Sequence, residues 1–330
     1  MSQSFKSLVV DKKDDQFSVD INKLEIKDLP EGEVLIRVKY SGVNYKDSLA
    51  SIPDGNTITN YPMVPGIDLA GVVVSSENPT FKEGDEVIAT SYEIGVSKKG
   101  GYSEYAKVPA EWAVPLPDGL SLKEAMIIGT AGLTAALSVI RLEDNGASPE
   151  KGKVLVTGAT GGVGSFAISI LASSGYEVEA GTGKEAAKDY LMKLGAATVV
   201  SREEVFDGKI SALGKQKWAA AVDPVGGEPL AALLSQIQYG GSVAVSGLTA
   251  GTKLPSSIFP FILRGVNLLG IDSVYCPMET RKKAWQLLAG NYKPENIEDF
   301  IFQEVGLDEL PEVLPTLLKG EARGRILVNI

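Results

Sequence analysis

A glycine-rich segment in the middle of the chain has the residue types and spacing of a phosphate-binding turn. It follows a β-branched apolar run, 154–157, precedes an apolar helical segment, 165–174, and has the pattern Ala159-x-Gly161-x-x-Gly164. In such a unit a small residue permits the tight turn, Gly161 lets the backbone approach a pyrophosphate, and Gly164 lets the helix pack against the strand. The N–H groups that begin the helix then face the phosphates. The segment predicts a dinucleotide-binding site, with an ordinary strand-to-helix turn as the alternative.

The end of the next predicted strand bears on which dinucleotide binds. An NAD site places a carboxylate there, about 20 residues beyond the glycines, to bind the ribose hydroxyls. Here the strand 176–180 is followed by Gly181-Thr182-Gly183-Lys184, which is small, hydroxylated and basic. A cation at this point suits a 2′-phosphate, so NADP(H) is the predicted cofactor. Glu179 lies at about the spacing expected of the NAD carboxylate, so NAD(H) is the alternative cofactor. We interpret Glu179 as lying inside the strand and not at its end.

The elements that must position these residues form two different patterns. From residue 153 strands alternate with helices, which predicts a doubly wound parallel α/β sheet of the Rossmann type. Up to about Pro117 the chain instead has short strands between Gly and Pro turns, typical of a β-barrel or sandwich. The tail, 326–330, is again β-like and is expected to return to the first domain. The predicted domains are 1–122 with 298–330, and 123–297.

The strands predicted in the first domain alternate apolar and polar residues or follow turn residues, and those of the second are mostly short apolar runs. They are 33–40, 69–75, 86–90 and 102–108 in the first, and 154–157, 176–180, 198–201, 219–222, 242–246 and 267–271 in the second. The main predicted helices are 122–140, whose uncharged middle must be buried, 165–174 and 185–194.

The composition excludes several kinds of chemistry. The 330 residues contain one cysteine, Cys276, and no histidine, which excludes intramolecular disulfides, Cys/His metal sites and histidine-dependent nucleophilic catalysis. The formal net charge of −10 argues against nucleic acid or an anionic membrane as a partner. The basic clusters 98–99 and 281–283 are interpreted as solvated surface, with a phosphorylated substrate as the alternative. No secretory signal is recognisable at the N-terminus, so a cytoplasmic protein is expected.

Four further segments, taken with this organisation, resemble the medium-chain dehydrogenase/reductase superfamily over essentially the whole chain. They are 41–47 (SGVNYKD), 65–71 (PGIDLAG), 223–227 (DPVGG) and 270–277 (GIDSVYCP). Within the superfamily the chain is similar to the zinc-independent quinone oxidoreductases and acrylyl-CoA reductases of the YhdH/YhfP type. The resemblance implies a GroES-like β-barrel domain, a Rossmann domain and a homodimer formed through the sheet edge near 267–273.

The zinc alcohol dehydrogenases of this superfamily have cysteine and histidine ligands near positions 44–47 and 66–68. This chain has neither residue type there, so no metal is expected. Oxidising an unactivated alcohol without a Lewis acid is unfavourable, whereas reducing a polarised C=C bond needs less assistance. The residues therefore favour the reductase branch.

The resemblance also implies site residues. Asn44 and Tyr45 are candidate donors to a transient enolate oxygen, and Tyr45 is a candidate proton relay. The alternatives are a turn role for Asn44 and packing on the nicotinamide for Tyr45, while Asp47 is expected to orient the loop, as an ion pair with Lys46. Cys276 is a weak nucleophile candidate, because nothing near it in sequence activates it. The catalytic set is thus Asn44, Tyr45 and Asp47.

The cofactor is expected to contact residues from both domains. They are Tyr45, Thr130, Thr160, Gly161, Gly162, Val163, Thr182, Gly183, Lys184, Arg202, Leu248, Ile262, Ser273 and Arg325. For Leu248 and Ile262 a place in the core is the alternative, and for Arg202 a surface position at the start of a helix.

The resemblance implies an NADPH-dependent, zinc-independent reductase that transfers hydride to the C=C bond of an α,β-unsaturated carbonyl, such as acryloyl-CoA or a similar enoyl thioester or enone. One alternative is an NADPH:quinone oxidoreductase. Another is a structural or regulatory protein that binds NADPH without turnover.

Overall fold

The structure is a computed structural model that describes residues 4–14 and 16–330. The chain forms two compact units. The first comprises the described residues up to Thr130 together with Val274–Ala289 and Asn296–Ile330, and the second comprises Ala131–Ser273 with Gly290–Glu295. The domain limits predicted from the sequence, after 122 and before 298, remain a prediction.

Each strand predicted from the sequence has a counterpart in the structure, which also contains four strands that were not predicted. The strands are β1 (Ser4–Lys13), β2 (Gln16–Glu25), β3 (Val34–Val43), β4 (Asp68–Ser76), β5 (Glu86–Thr90), β6 (Tyr105–Val108), β7 (Ala113–Pro115), β8 (Val154–Val156), β9 (Val178–Thr182), β10 (Thr198–Ser201), β11 (Trp218–Asp223), β12 (Ile237–Val245), β13 (Asn267–Gly270), β14 (Ile301–Gly306) and β15 (Arg325–Asn329). The four that were not predicted are β1, β2, β7 and β14. The helices are α1 (Tyr45–Ala50), α2 (Leu122–Asp144), α3 (Gly162–Ser173), α4 (Lys188–Lys193), α5 (Arg202–Val205), α6 (Gly227–Leu234), α7 (Phe259–Arg264), α8 (Met278–Ala289) and α9 (Leu310–Leu318).

The first unit is built on a mostly antiparallel sheet. Its order is β14-β15-β3-β4-β5-β7, with β6 also paired to β3, and β1 and β2 form a separate hairpin. Val34, Ile36 and Val38 of β3 are buried on one face, as the alternation in the sequence predicts. The C-terminal strand β15 pairs antiparallel with β3, so the tail does return to this unit.

The second unit contains a six-stranded parallel sheet. Its order is β10-β9-β8-β11-β12-β13, in which the direction of winding reverses between β8 and β11. The fold-class prediction, a doubly wound sheet, is confirmed. In such sheets ligands bind beyond the carboxyl ends of the strands at the point of reversal, which here is where the glycine-rich segment follows β8.

One predicted strand boundary is wrong for a physical reason. The sequence predicts a strand over 242–246, but β12 begins at Ile237 and includes the two glycines that precede Ser242. A Cβ on Gly241 would lie 2.4 Å from the carbonyl oxygen of Ala219 on β11. The glycine therefore permits close strand packing and does not mark a turn.

Helix α2 is the single helix in the described residues with the length and hydropathy of a membrane span. Its most apolar window of 18 residues has a mean hydropathy of 1.7, but 89% of that window is buried in the protein. Gly129 interrupts the helix with φ 51° and ψ −158°. A buried and interrupted apolar helix is typical of a folded core.

Candidate nucleotide-binding and catalytic site

The glycine-rich segment forms a tight turn that leads directly into α3. The positive φ lies at Gly158 (54°), whose carbonyl accepts the N–H of Gly161 at 2.9 Å. A Cβ on Gly164 would lie 2.5 Å from the Gly158 oxygen, whereas a Cβ on Gly161 would meet only that atom, at 3.3 Å. Gly164 is therefore needed for packing, and Gly161 keeps the outer face of the turn open. The first N–H groups of α3, from Gly162 onward, have no acceptor within the helix.

Two cations meet at the carboxyl end of β9. The Arg202 side chain crosses Gly183 so closely that a Cβ there would lie 2.6 Å from its Nε. Burial lowers the pKa of Lys184, and the nearby Arg202 charge lowers it further. The Thr182 hydroxyl accepts the Lys184 N–H at 3.0 Å and fixes the turn. The arrangement brings two positive charges together where an anion would relieve their repulsion.

The acidic residue near this point is engaged elsewhere. Glu179 lies inside β9, where Lys153 Nζ donates to one carboxylate oxygen at 2.7 Å and the Trp218 indole donates to the other at 2.8 Å. Although burial alone would raise it, these hydrogen bonds lower the pKa of Glu179. The nearby acid Glu204 caps α5 by accepting the Ser201 N–H at 2.7 Å. Arg202 is the first residue of α5, which agrees with the alternative prediction that it lies on the surface at the start of a helix. It forms no ion pair within the described chain.

In the first unit a buried polar cluster surrounds the start of α1. The Asn44 side-chain amide donates to Asp68 at 2.8 Å and to Asp47 at 3.2 Å, and its oxygen accepts from Arg325 at 3.1 Å. Both amide hydrogens of Asn44 are therefore used inside the protein. The Arg325 guanidinium, 3% exposed, also donates to the carbonyls of Val43 and Ile127 and lies 3.6 Å from Asp68. A direct contact of Arg325 with a cofactor stays a prediction.

Asp47 anchors this loop without the predicted ion pair. Its carboxylate accepts the backbone N–H groups of Asn44 at 2.9 Å, Gly66 at 3.2 Å and Ile67 at 2.9 Å. Asp47 is 1% exposed, whereas Lys46 is half-buried, and the two side chains do not pair in the part of the chain that is described. Burial, and then the Asp68 charge, raise the pKa of Asp47 to about 6.

Tyr45 differs from its neighbours because 41% of it is exposed at the first position of α1. Thr130, half-buried beyond the Gly129 interruption, donates its hydroxyl to Asp68 and lies 3.0 Å from the Ser91 hydroxyl. Of the three predicted catalytic residues, only Tyr45 can reach a ligand without a change in the buried cluster. The catalytic roles remain predictions.

The remaining predicted cofactor residues lie in the second unit. Leu248 and Ile262 are 55% and 65% exposed, so the alternative of ordinary core residues is wrong for both. Ser273 accepts a hydrogen bond from the Thr134 hydroxyl at 2.9 Å. Thr160 is buried in the turn, and Val163 is half-buried in the first turn of α3. Cys276, in the first unit, is buried, which does not favour a nucleophilic role.

Sequence reasoning missed three residues of these clusters. Asp68 was recognised only as part of a motif, although it centres the polar cluster of the first unit. Gly158, which makes the turn after β8, could have been found as the glycine directly following the strand. Asp223, which was also recognised only within the motif 223–227, is fully buried at the end of β11, where it accepts the Gly226 N–H at 2.7 Å and the Thr157 hydroxyl. The sequence feature that could have identified Asp223 is its position as an acidic residue directly after an apolar strand.

The second unit fits a phosphorylated dinucleotide. The helix N-terminus and the open Gly161 suit a pyrophosphate, and the pair Lys184 and Arg202 suits a further phosphate. Across residues 4–14 and 16–330, no group of three or more His, Cys, Asp or Glu side chains is arranged to hold a metal ion.

Sequence comparison identifies the two halves of the chain separately. Residues 30–118 match the alcohol dehydrogenase GroES-like domain family, and residues 162–290 match the zinc-binding dehydrogenase family. YhfP from Bacillus subtilis, provisionally named a quinone oxidoreductase, is 58% identical over all of both chains. Its crystal structure with NAD bound superimposes with a TM-score of 0.97.

Two other similar proteins are named for related chemistry. Acrylyl-CoA reductase AcuI from Ruegeria pomeroyi is 47% identical over 99% of both chains. The crystal structure of YhdH from Escherichia coli K-12 with bound NADPH is 43% identical, covers 98% of this chain and 99% of that one, and has a TM-score of 0.95. The chain therefore belongs to the medium-chain dehydrogenase/reductase superfamily of oxidoreductases, in the YhdH/YhfP-type group of quinone oxidoreductases and acrylyl-CoA reductases.

Proposed function

We propose that the protein is an NADPH-dependent reductase of α,β-unsaturated carbonyl compounds, with acryloyl-CoA or a similar enoyl thioester or enone as substrate. The observation that carries the proposal is that Tyr45 is 41% exposed directly beside a buried cluster whose hydrogen bonds hold its loop in place. The name of the Ruegeria pomeroyi relative, an acrylyl-CoA reductase, supports the substrate class.

The cofactor preference rests on charge at the carboxyl end of β9. Lys184 and Arg202 would bind the 2′-phosphate of NADP(H), and Glu179 is not available for the ribose hydroxyls of NAD. NADPH is also bound in the Escherichia coli relative, whereas NAD is bound in the Bacillus subtilis one. We therefore propose NADP(H) as the preferred cofactor and NAD(H) as a weaker one.

Bound NADPH would supply a hydride to the β-carbon of the substrate. As the C=C electrons move toward the carbonyl, negative charge develops on its oxygen, and Tyr45 donates a hydrogen bond to that oxygen. Asn44 donates both of its amide hydrogens to Asp47 and Asp68, so its role is to hold in place the turn that carries Tyr45. The α-carbon takes a proton from solvent or through Tyr45, which completes the reduction to the saturated carbonyl.

The name of the Bacillus subtilis relative favours a second candidate, reduction of quinones. A quinone is also a conjugated carbonyl, so the same Tyr45 donor would stabilise its reduced oxygen. A protein that binds NADPH without turnover is the candidate from another class.

One experiment separates the three candidates. Purified protein is mixed with NADPH and, separately, with acryloyl-CoA, a simple enone and a soluble quinone, and NADPH absorbance is followed. We expect oxidation with acryloyl-CoA or the enone at a kcat/KM at least about tenfold above that with the quinone, a difference of about 1.4 kcal/mol in transition-state stabilisation. Faster quinone turnover supports the second candidate, and tight NADPH binding without oxidation of any substrate supports the third.

We also propose a homodimer formed through the edge of the second unit's sheet. Strand β13 is the last strand of that sheet, and the helix before it presents Phe259 and Leu263, which are 44% and 55% exposed. An edge with apolar neighbours is a suitable surface for two-fold pairing. Sedimentation velocity should give twice the chain mass, and an Asn267→Pro substitution should shift it toward the monomer. A monomeric wild type contradicts this proposal.

A further inference from the structure

The Asp68 carboxylate contacts two separate segments that carry predicted site residues. Its Oδ2 accepts hydrogen bonds from the Asn44 side-chain amide at 2.8 Å and from the Thr130 backbone N–H at 2.9 Å. Its Oδ1 accepts the Thr130 hydroxyl. Asp68 is fully buried, so water does not compete for these contacts. One carboxylate thus joins the turn before α1 to the interruption in α2.

These contacts decide what the Thr130 hydroxyl can offer to a ligand. A threonine hydroxyl has one hydrogen to donate and an oxygen that can accept. That hydrogen goes to Asp68, so the Ser91 hydroxyl, 3.0 Å away, must be the donor in its contact with Thr130. Toward a ligand, the Thr130 hydroxyl can therefore act only as a hydrogen-bond acceptor.

Two further features fix the position of the Asp68 carboxylate. The Arg325 guanidinium lies 3.6 Å from Oδ2 and supplies the opposite charge inside the protein. A Cβ at Gly129 would lie 2.5 Å from that same oxygen and 2.7 Å from Arg325 Nη2. Only glycine, with its φ of 51°, lets the chain turn around the carboxylate and present Thr130 to it.

We propose that Asp68 is a positioning residue for the cofactor: it orients the Thr130 hydroxyl as an acceptor and, through Asn44, holds the turn that carries Tyr45. This inference rests on the proposed function, in which a nicotinamide cofactor is bound. Thr130 would then recognise a donor group of that cofactor, either a carboxamide N–H or a ribose O–H. Asp68 acts through Thr130 and Asn44 and touches neither cofactor nor substrate.

A double-mutant cycle on NADPH binding tests the proposal. The dissociation constant is measured by nicotinamide fluorescence for wild type, Asp68→Asn, Thr130→Val and the double variant. Each single variant should raise the constant about tenfold, and the double variant should raise it no more than about tenfold, because both changes remove the same oriented acceptor. Additive effects of about a hundredfold, or a wild-type constant in both single variants, overturn the proposal.

Two controls separate positioning from simple destabilisation. The Ser41 hydroxyl donates to the Asp68 backbone carbonyl at 2.6 Å and is equally buried, so Ser41→Ala should lower the melting temperature and leave the dissociation constant within about twofold. A rise in this control as large as in Asp68→Asn overturns the proposal. Thr130→Ser keeps the hydroxyl and should bind within about twofold of wild type.

The experiment still tests the proposal if Asp68→Asn does not fold or if the proposed function is wrong. Should Asp68→Asn not fold, the comparison of Thr130→Val with Thr130→Ser decides, and equal binding by the two overturns the proposal. A wild type that binds NADPH but reduces no carbonyl or quinone contradicts the proposed function, while the binding cycle still tests Asp68. A wild type that does not bind NADPH contradicts both.

Discussion

The Trp218 indole donates a hydrogen bond to the Glu179 carboxylate at 2.8 Å. Together with Lys153 on the other oxygen, it holds Glu179, the acid at about the spacing expected for NAD, inside β9. The side chains that lie at the carboxyl end of that strand are instead the cations Lys184 and Arg202. We therefore expect selectivity between the two dinucleotides to depend on the position of the Glu179 carboxylate and on the charges of Lys184 and Arg202.

Reversing both charges should remove the preference for NADPH. Lys184→Glu combined with Arg202→Glu deletes two charge-assisted contacts to the 2′-phosphate, so KM for NADPH should rise about a hundredfold. KM for NADH should change less than about threefold, because NADH has no phosphate there. Initial rates with each cofactor provide the measurement. Lys188→Glu with Lys209→Glu makes the same change in net charge at exposed positions and should leave both values nearly unchanged. Equal effects of the first pair on both cofactors would refute the assignment.

Alanine at two glycines of the turn should have different consequences. Gly161→Ala adds a methyl group to the open face, so NADPH affinity should fall about tenfold or more with little change in the free energy of unfolding. Gly164→Ala places a Cβ 2.5 Å from the Gly158 oxygen and should cost about 1–3 kcal/mol of stability. Urea unfolding and fluorescence titration distinguish the two effects. If Gly161→Ala binds NADPH like wild type, no pyrophosphate lies on that face.

Removing the Tyr45 hydroxyl should slow the reaction without affecting the fold. Tyr45→Phe is expected to lower kcat about 10- to 100-fold with little change in KM, because the donor acts mainly on the charge that develops in the transition state. The ring stays in place, so the melting temperature should stay close to that of wild type. Tyr239→Phe, at a 79% exposed tyrosine, is the control. If Tyr45→Phe and Asn44→Ala both keep near-full turnover, backbone groups and the cofactor must stabilise the charge.

The buried Asp47 should make stability depend on pH in a defined direction. Burial, and then the Asp68 charge, raise its pKa in the folded protein to about 6, above the ordinary value of 3.8. Arg325 and Tyr102 are further ionisable groups that interact with it. Between these two values the folded state binds more protons than the unfolded state. The Asp47 contribution to stability is therefore full below about pH 4 and is lost as the pH rises through about 6.

Asp47→Asn removes this titration. From pH 4 to pH 7 the free energy of unfolding of wild type should fall by on the order of 2 kcal/mol relative to that of Asp47→Asn. Urea unfolding at several pH values gives the difference. Ser48→Ala alters a buried hydroxyl in the same helix that has no hydrogen-bond partner among residues 4–14 and 16–330, and its difference from wild type should not vary with pH. A constant difference for Asp47→Asn would mean that Asp47 stays ionised throughout.

Much of the fold could be predicted because the relevant patterns are local. The alternation in β3, the glycines after β8 and the strand–helix rhythm each depend on neighbouring residues, and each appears in the structure. Where local rules failed, a long-range contact was responsible. Gly241 resembles a turn residue in the sequence, but it lies inside β12 because β11 passes close to it.

The features of the candidate site likewise divide into those set by local sequence and those set by long-range contacts. The sequence alone determined a dinucleotide turn at 159–164, a basic segment after β9 and the absence of histidine, since each is a property of residue types and short spacings. It could not show that Asn44 has no hydrogen left to donate, because its partners are chosen by the fold. Arg325, 281 positions away, and Asp68 occupy its side chain.

Only the tertiary structure decided which polar groups are engaged and which can reach a ligand. Glu179, Asp47 and Asp68 are all acidic residues in or beside predicted elements, yet the first is held inside its strand and the other two are buried around Asn44. The physical reason is that a buried polar group must find its hydrogen bonds within the protein. Those partners come from distant parts of the chain, and only the packed fold brings them together.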